Sequence, residues 1–138
     1  MRDNALYQQS GRRCASGLAV YDLIKLMKTP VRTVCLGSAA SMGAILFLAG
    51  DKREMFPNAH VMIHDPSHGG GSMAGMKPDE LDEKVKDLKK VRKILCGIIA
   101  EATGKSESSV RAKTRKDSYF NAKEAVEYGL ATGIVTSL

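Results

Sequence analysis

The stretch Val31-Arg32-Thr33-Val34-Cys35-Leu36-Gly37-Ser38-Ala39-Ala40-Ser41-Met42-Gly43-Ala44-Ile45-Leu46-Phe47-Leu48-Ala49-Gly50 decides the fold. Its first part, rich in β-branched residues, predicts a short buried strand over Val31 to Leu36, and Gly37 to Ala40 reads as a turn of small residues. The apolar run from Ser41 to Ala49 predicts a helix, closed by Gly50. A serine therefore stands where a strand hands over to a helix. The N–H of Met42 falls in the unpaired first turn of that helix and faces negative charge developing beside the hydroxyl, which is what acyl transfer needs. From this segment alone Ser41 is equally well a helix N-cap.

Upstream, Leu18 to Lys28 carries apolar residues at helical spacing from Gly17, and Thr29-Pro30 ends the run. Downstream, Asp51 to Glu54 reads as a charged connection. Met55 to Ile63 reads as extended, with a bend at Pro57-Asn58 and with His60, Met62 and His64 on one face by period two. Gly69 to Gly75 forms a loose glycine segment. A long helix then opens at Pro78-Asp79-Glu80, carries the stripe Leu81, Val85, Leu88, Leu95, Ile98, Ile99 and Ala102, and stops near Gly104. Ser106 to Lys113 predicts a short helix, Asn121 with Glu124 a capping box for a helix over Ala122 to Tyr128 stopped by Gly129, and Ile134-Val135 a last strand. Helices alternating with short apolar strands in a single 138-residue domain define an α/β layer fold.

Composition narrows the function. The net charge of +6 is concentrated in a mixed-sign segment from Lys84 to Lys93 without interleaved aromatics, so it reads as a solvated helix face and not as a nucleic-acid groove. Cys14, Cys35 and Cys96 are odd in number and unpatterned, which argues against a disulfide framework or a zinc site and suits a reducing cytoplasm. The longest apolar run, Ala44 to Ala49, is too short to span a membrane.

A serine nucleophile requires a base, and the chain has three histidines, His60, His64 and His68. His64 ends a strand, where its side chain can lean over a neighbouring strand's end. Such a histidine also serves by packing or solvation alone. The acid that would orient the imidazole is not selected by spacing among 15 carboxylates.

The segments Ala39-Ala40-Ser41-Met42-Gly43-Ala44, Ala49-Gly50, Pro57-Asn58, Met62-Ile63-His64 and Glu124-Ala125-Val126-Glu127-Tyr128-Gly129-Leu130 closely resemble the proteolytic subunit of ATP-dependent Clp proteases, in that family's order and spacing from Ser16 to Leu138. The resemblance implies a ClpP/crotonase-like fold of repeated strand-helix units with a handle over about residues 65–103, made of a glycine-rich strand and a long helix. It implies Ser41 as nucleophile, His64 as base, Asp117 as orienting acid and the Met42 backbone N–H as an oxyanion donor. It further implies a serine endopeptidase subunit that needs no cofactor of its own, since ATP is used by a partner AAA+ Clp unfoldase. Its subunits would assemble into stacked seven-membered rings in the cytoplasm and cut unfolded polypeptides, with no nucleic-acid or membrane partner. Asp65 stands where the family usually has Gln, and Lys116 where it usually has Arg.

Residues 1–15 depart from the family. The expected Tyr-Ile-Asn-Ser-Pro-Gly-Gly, whose second glycine supplies the other oxyanion N–H, is replaced by a segment that puts Gly11 and Arg12 at the two glycine positions. The family's first strand-helix units are expected to be missing. Synonymous codons exist for Leu6 to Cys14 that, read one nucleotide later, spell Tyr-Ile-Asn-Ser-Pro-Gly-Gly-Asp-Val, so the segment reads as a frame-shifted copy of the motif. With one oxyanion donor lost, the 138-residue chain is expected to be an impaired peptidase. The alternatives are a non-catalytic ring subunit and a crotonase-type acyl-CoA enzyme, whose chemistry needs no Ser-His pair.

Overall fold

A computed structural model describes residues 10–67 and 73–138. His68 and most of the glycine segment expected from Gly69 lie outside the described residues, as does the start of the chain up to Gln9. The order is α1 (Ser10–Leu26), β1 (Arg32–Cys35), β2 (Ser38–Ala40), α2 (Met42–Leu48), β3 (Lys52–Met55), β4 (His60–Ile63), α3 (Pro78–Thr103), α4 (Glu107–Thr114), β5 (Ser118–Asn121), α5 (Ala122–Tyr128) and β6 (Gly133–Ile134). The mixed α/β architecture expected from the sequence is the one observed.

The strands form two small sheets. One is parallel throughout, in the order β1-β3-β6; the other runs β2-β4-β5, with β2 and β4 parallel and β4 and β5 antiparallel. Three of these strands differ from the reading of the sequence. Ser38 to Ala40, expected as a turn, is β2, because small side chains let it lie flat against β4 in the register Ser38↔His60, Ala39↔Val61, Ala40↔Met62. Asp51 to Glu54, expected as a charged connection, is largely β3, and its charges are satisfied on both sides of the strand. Glu54 binds Arg32 diagonally across the β1 pairing and Lys52 at 3.3 Å. Ser118 to Asn121 pairs as β5, which no period-two pattern announced.

Arg53 points inward from β3. Its guanidinium donates to the carbonyls of Leu130 at 2.8 Å and of Ala102 and Gly129 at 3.2 Å each, with a longer contact to Gly50 at 3.4 Å. A single cation thus caps the C-terminal ends of two helices, α3 and α5, where carbonyls lack intrahelical partners and the helix dipole is negative.

The helices follow their local chemistry. The first starts at Ser10, about two turns ahead of the expected Gly17, since nothing from Gly11 to Ser16 interrupts it, and it ends before Thr29-Pro30. Asn121 and Glu124 form the expected capping box, with Glu124 N–H donating to Asn121 Oδ1 at 2.8 Å and Asn121 N–H to Glu124 Oε1 at 3.1 Å. Ser106 caps α4 by accepting from Ser109 N–H at 3.2 Å. The apolar stripe of the long helix α3 is fully buried only in its C-terminal half, at Leu95, Cys96, Ile98 and Ile99. Its N-terminal half stands away from the body; Val85 of the predicted stripe is 44 % exposed. The core lies around α2, with Ile45, Phe47 and Leu48 joining Met55, Val61, Ile63, Leu95, Ile99, Phe120 and Leu130.

Candidate active site

Strand register brings the sequence-selected residues together. Ala40 pairs with Met62, so one step past the end of β2 sets Ser41 beside Ile63, and the Ser41 N–H continues the ladder by donating to Met62 O at 3.0 Å. Ile63 pairs with Ser118 across the antiparallel β4-β5 edge, so one step further sets His64 opposite Asp117. The Nδ1 of His64 lies 3.9 Å from Asp117 Oδ1, with the imidazole 25 % and the carboxylate 63 % exposed. That separation is an open ion-pair distance, about 1 Å longer than a hydrogen bond. His60, at the other end of β4, is exposed and pairs with Asn121 at the far end of the same edge.

Ser41 has φ 55° and ψ −118° and is the one non-glycine residue with positive φ among the described residues. An L-residue held there costs about 1–3 kcal/mol, a strain found where a turn is constrained to present a side chain. Its hydroxyl makes no capping hydrogen bond to α2. The N-cap alternative is thereby answered: the backbone is not in a capping conformation and the side chain does not cap. The Ser41 carbonyl accepts from Ile45 N–H at 3.2 Å, so α2 starts at Met42 and the Met42 N–H belongs to the turn that has no intrahelical acceptor.

Ser41 and His64 line one cavity of about 30 Å³, together with Met42, Pro66, Leu95 and Ile99 among others. Cys14 and Cys96 border it as well. Burial pushes both thiols above the ordinary cysteine range, which keeps them protonated and poor nucleophiles beside Ser41. Gly11 and Arg12, the positions considered for the second oxyanion donor, fall in the first turn of α1, a helical backbone and not an extended glycine pair. Among the described residues no group of three or more His, Cys, Asp or Glu side chains is placed to hold a metal ion.

The sequence did not single out the polar cluster beside His64, whose Asp65, Arg92 and Thr114 line the same cavity. Thr114, the last residue of α4 and only 2 % exposed, donates its hydroxyl to Asp65 Oδ1 at 2.7 Å, and its carbonyl accepts from Asp65 N–H at 2.8 Å. Arg92 Nη1 of α3 lies 3.8 Å from Asp65 Oδ2, and Cys96 Sγ lies 3.8 Å from Thr114 Oγ1. Asp65 stood out as a departure from the family pattern. Thr114 carried no signal beyond a polar residue closing a short amphipathic helix.

A strained serine at a strand-to-helix turn, flanked at neighbouring strand ends by an imidazole and a carboxylate, places the chain among α/β proteins built to present a hydroxyl in a cleft. The chain belongs to the Clp protease family: the family model for Clp protease matches residues 6–137. The match begins at Leu6, upstream of Ser16, where the motif resemblance starts. No helix among the described residues is long and apolar enough to cross a membrane.

Proposed function

We propose that this Clp-family protease domain is a serine endopeptidase in which Ser41 Oγ attacks the peptide carbonyl and His64 takes its proton. Asp117 holds the imidazole in the tautomer that carries hydrogen on Nδ1 and faces Nε2 toward the serine. The oxyanion of the tetrahedral intermediate is met by the Met42 N–H. His64 then gives its proton to the leaving amine, and water hydrolyses the acyl-enzyme by the same route in reverse. The observation that carries this reading is the strained, non-capping Ser41 sharing a cleft with His64, itself set opposite Asp117.

As in the family it belongs to, the subunit works in stacked seven-membered rings, in the cytoplasm, on unfolded polypeptides delivered by an ATP-driven Clp unfoldase. The N-terminal half of α3, standing clear of the body with Val85 exposed, supports a role for that helix in ring-to-ring contact. With Gly11 and Arg12 in a helix, the Met42 N–H acts without the family's glycine partner, and loss of one such donor lowers turnover by about 10²–10³-fold. Hydrolysis of a fluorogenic peptide by the 138-residue chain is therefore expected to be slow and to vanish in Ser41→Ala. Hydrolysis retained by Ser41→Ala refutes the serine mechanism and favours an acyl-transfer site of the crotonase kind. No hydrolysis by a folded wild type that still assembles into rings favours the non-catalytic subunit.

A further inference from the structure

We propose that Thr114 and Asp65 are positioning residues that set the His64–Asp117 pair, an inference that rests on the serine-peptidase reading and extends it to the polar side of the same cavity. The two halves of the pair come from segments distant in sequence, the end of β4 and the turn between α4 and β5. Their separation depends on what ties those segments together. Thr114 precedes Asp117 by three residues, and Asp65 directly follows His64.

Two hydrogen bonds join Thr114 to Asp65, one through the backbone at 2.8 Å and one through the side chains at 2.7 Å. Because Thr114 is buried, its hydroxyl proton has protein acceptors alone to choose from, and Asp65 Oδ1 is closer than the Arg111 carbonyl at 3.3 Å. The remaining carboxylate oxygen is held from the other side by Arg92 at 3.8 Å. Pro66 then restricts Asp65 to extended backbone, so a fixed Asp65 fixes the direction in which His64 leaves β4.

The Asp117 side of the pair is fixed in the same manner. Ser118 Oγ donates to Lys113 O at 2.7 Å, closing the turn between α4 and β5 that carries Asp117. Both ends of the 3.9 Å gap are therefore anchored to the last residues of α4. Asp65, Arg92 and Thr114 line the same cavity as Ser41 and His64, and the Asp65 carboxylate is already engaged there by a hydroxyl and a guanidinium. It acts through the imidazole.

Thr114→Val keeps the shape and removes the hydroxyl; Thr114→Ser keeps the hydroxyl. The Thr114→Val chain is expected to shift the imidazole Cε1–H resonance of His64, which senses the Asp117 carboxylate 3.9 Å away, from its wild-type position and to react with a fluorophosphonate at Ser41 about tenfold more slowly, since about 1 Å of misplacement can cost 10²-fold. Thr114→Ser is expected to restore the resonance position and most of the rate. Should Thr114→Val not fold, Asp65→Ala, at a partly exposed position, is read in its place with the same expected loss. A folded variant lacking the Thr114–Asp65 bond that keeps both the resonance position and the rate overturns the proposal. The resonance position reports how the Asp117 carboxylate sits against His64 whether or not Ser41 reacts, so a folded wild type that does not label refutes the peptidase reading and leaves the positioning test readable.

Discussion

Gly17→Ala probes how the first helix seats the start of α2. A Cβ on residue 17 would stand 2.3 Å from Met42 Cγ, 2.5 Å from its Sδ and 3.3 Å from its Cε. Carbon atoms in contact prefer about 3.5–4.0 Å, so Met42 must move by roughly 1.2 Å or more. Overpacking of this kind costs about 1–3 kcal/mol, and replacing a helical glycine by alanine returns about 1 kcal/mol. The net expected loss is about 0–2 kcal/mol, small enough to leave a folded chain. The effect on the site is larger, because Met42 carries the N–H proposed as the oxyanion donor and lines the cavity of about 30 Å³ beside Ser41. The rate of fluorophosphonate labelling at Ser41 is expected to fall about tenfold or more, as a lost or displaced oxyanion donor costs about 10²-fold. Urea unfolding and intact-mass labelling read the two quantities separately. Adding Met42→Ala removes the clash and should recover stability, which is the coupling a double-mutant cycle detects. Labelling unchanged in Gly17→Ala refutes the proposition that α1 seats the oxyanion donor.

Two further predictions concern the frame of the site. Arg53→Ala removes the donor to the part-buried carbonyls of Ala102, Gly129 and Leu130 and is expected to cost about 2–4 kcal/mol in urea unfolding, at about 1 kcal/mol per hydrogen bond; a loss under about 1 kcal/mol would deny it the role of joining α3 and α5. Glu54 is held below the ordinary carboxylate value of 4.5, first by its hydrogen bond from Arg32 and further by Lys52. A depressed folded-state value adds stability that is complete above 4.5 and is lost as pH falls through the lowered value. The stability difference between wild type and Glu54→Gln should therefore be constant near neutral pH and shrink on acidification, which thermal unfolding across that range measures; a difference that grows with acid contradicts the assignment.

Much of the site was legible in the sequence because it sits at ends of elements that local patterns mark. The helix that opens after Ser41, the strand that ends just before His64 and the capping box at Asn121 each follow from short-range chemistry, and all are observed. What escaped the pattern is the tertiary pairing. The strand at Lys52 to Met55 looks like a charged loop until Arg53 is seen to reach helix ends nearly 50 and 76 residues away and Glu54 to meet Arg32. Ser38 to Ala40 looks like a turn until β4 provides its ladder. Thr114 carries meaning only once α4 is folded back on the end of β4, since its partner Asp65 is 49 residues distant. Asp117 followed from family resemblance alone, since no local pattern selects it; the β4-β5 register sets it opposite His64, at 3.9 Å.

The most direct test of the central claim is reaction of the 138-residue chain with a fluorophosphonate, followed by peptide mapping of the adduct. The expected result is a slow, single phosphonylation at Ser41 that is abolished in His64→Ala and slowed in Asp117→Asn. An adduct on any other residue, or an adduct on Ser41 that forms as fast in His64→Ala as in the wild type, would contradict it.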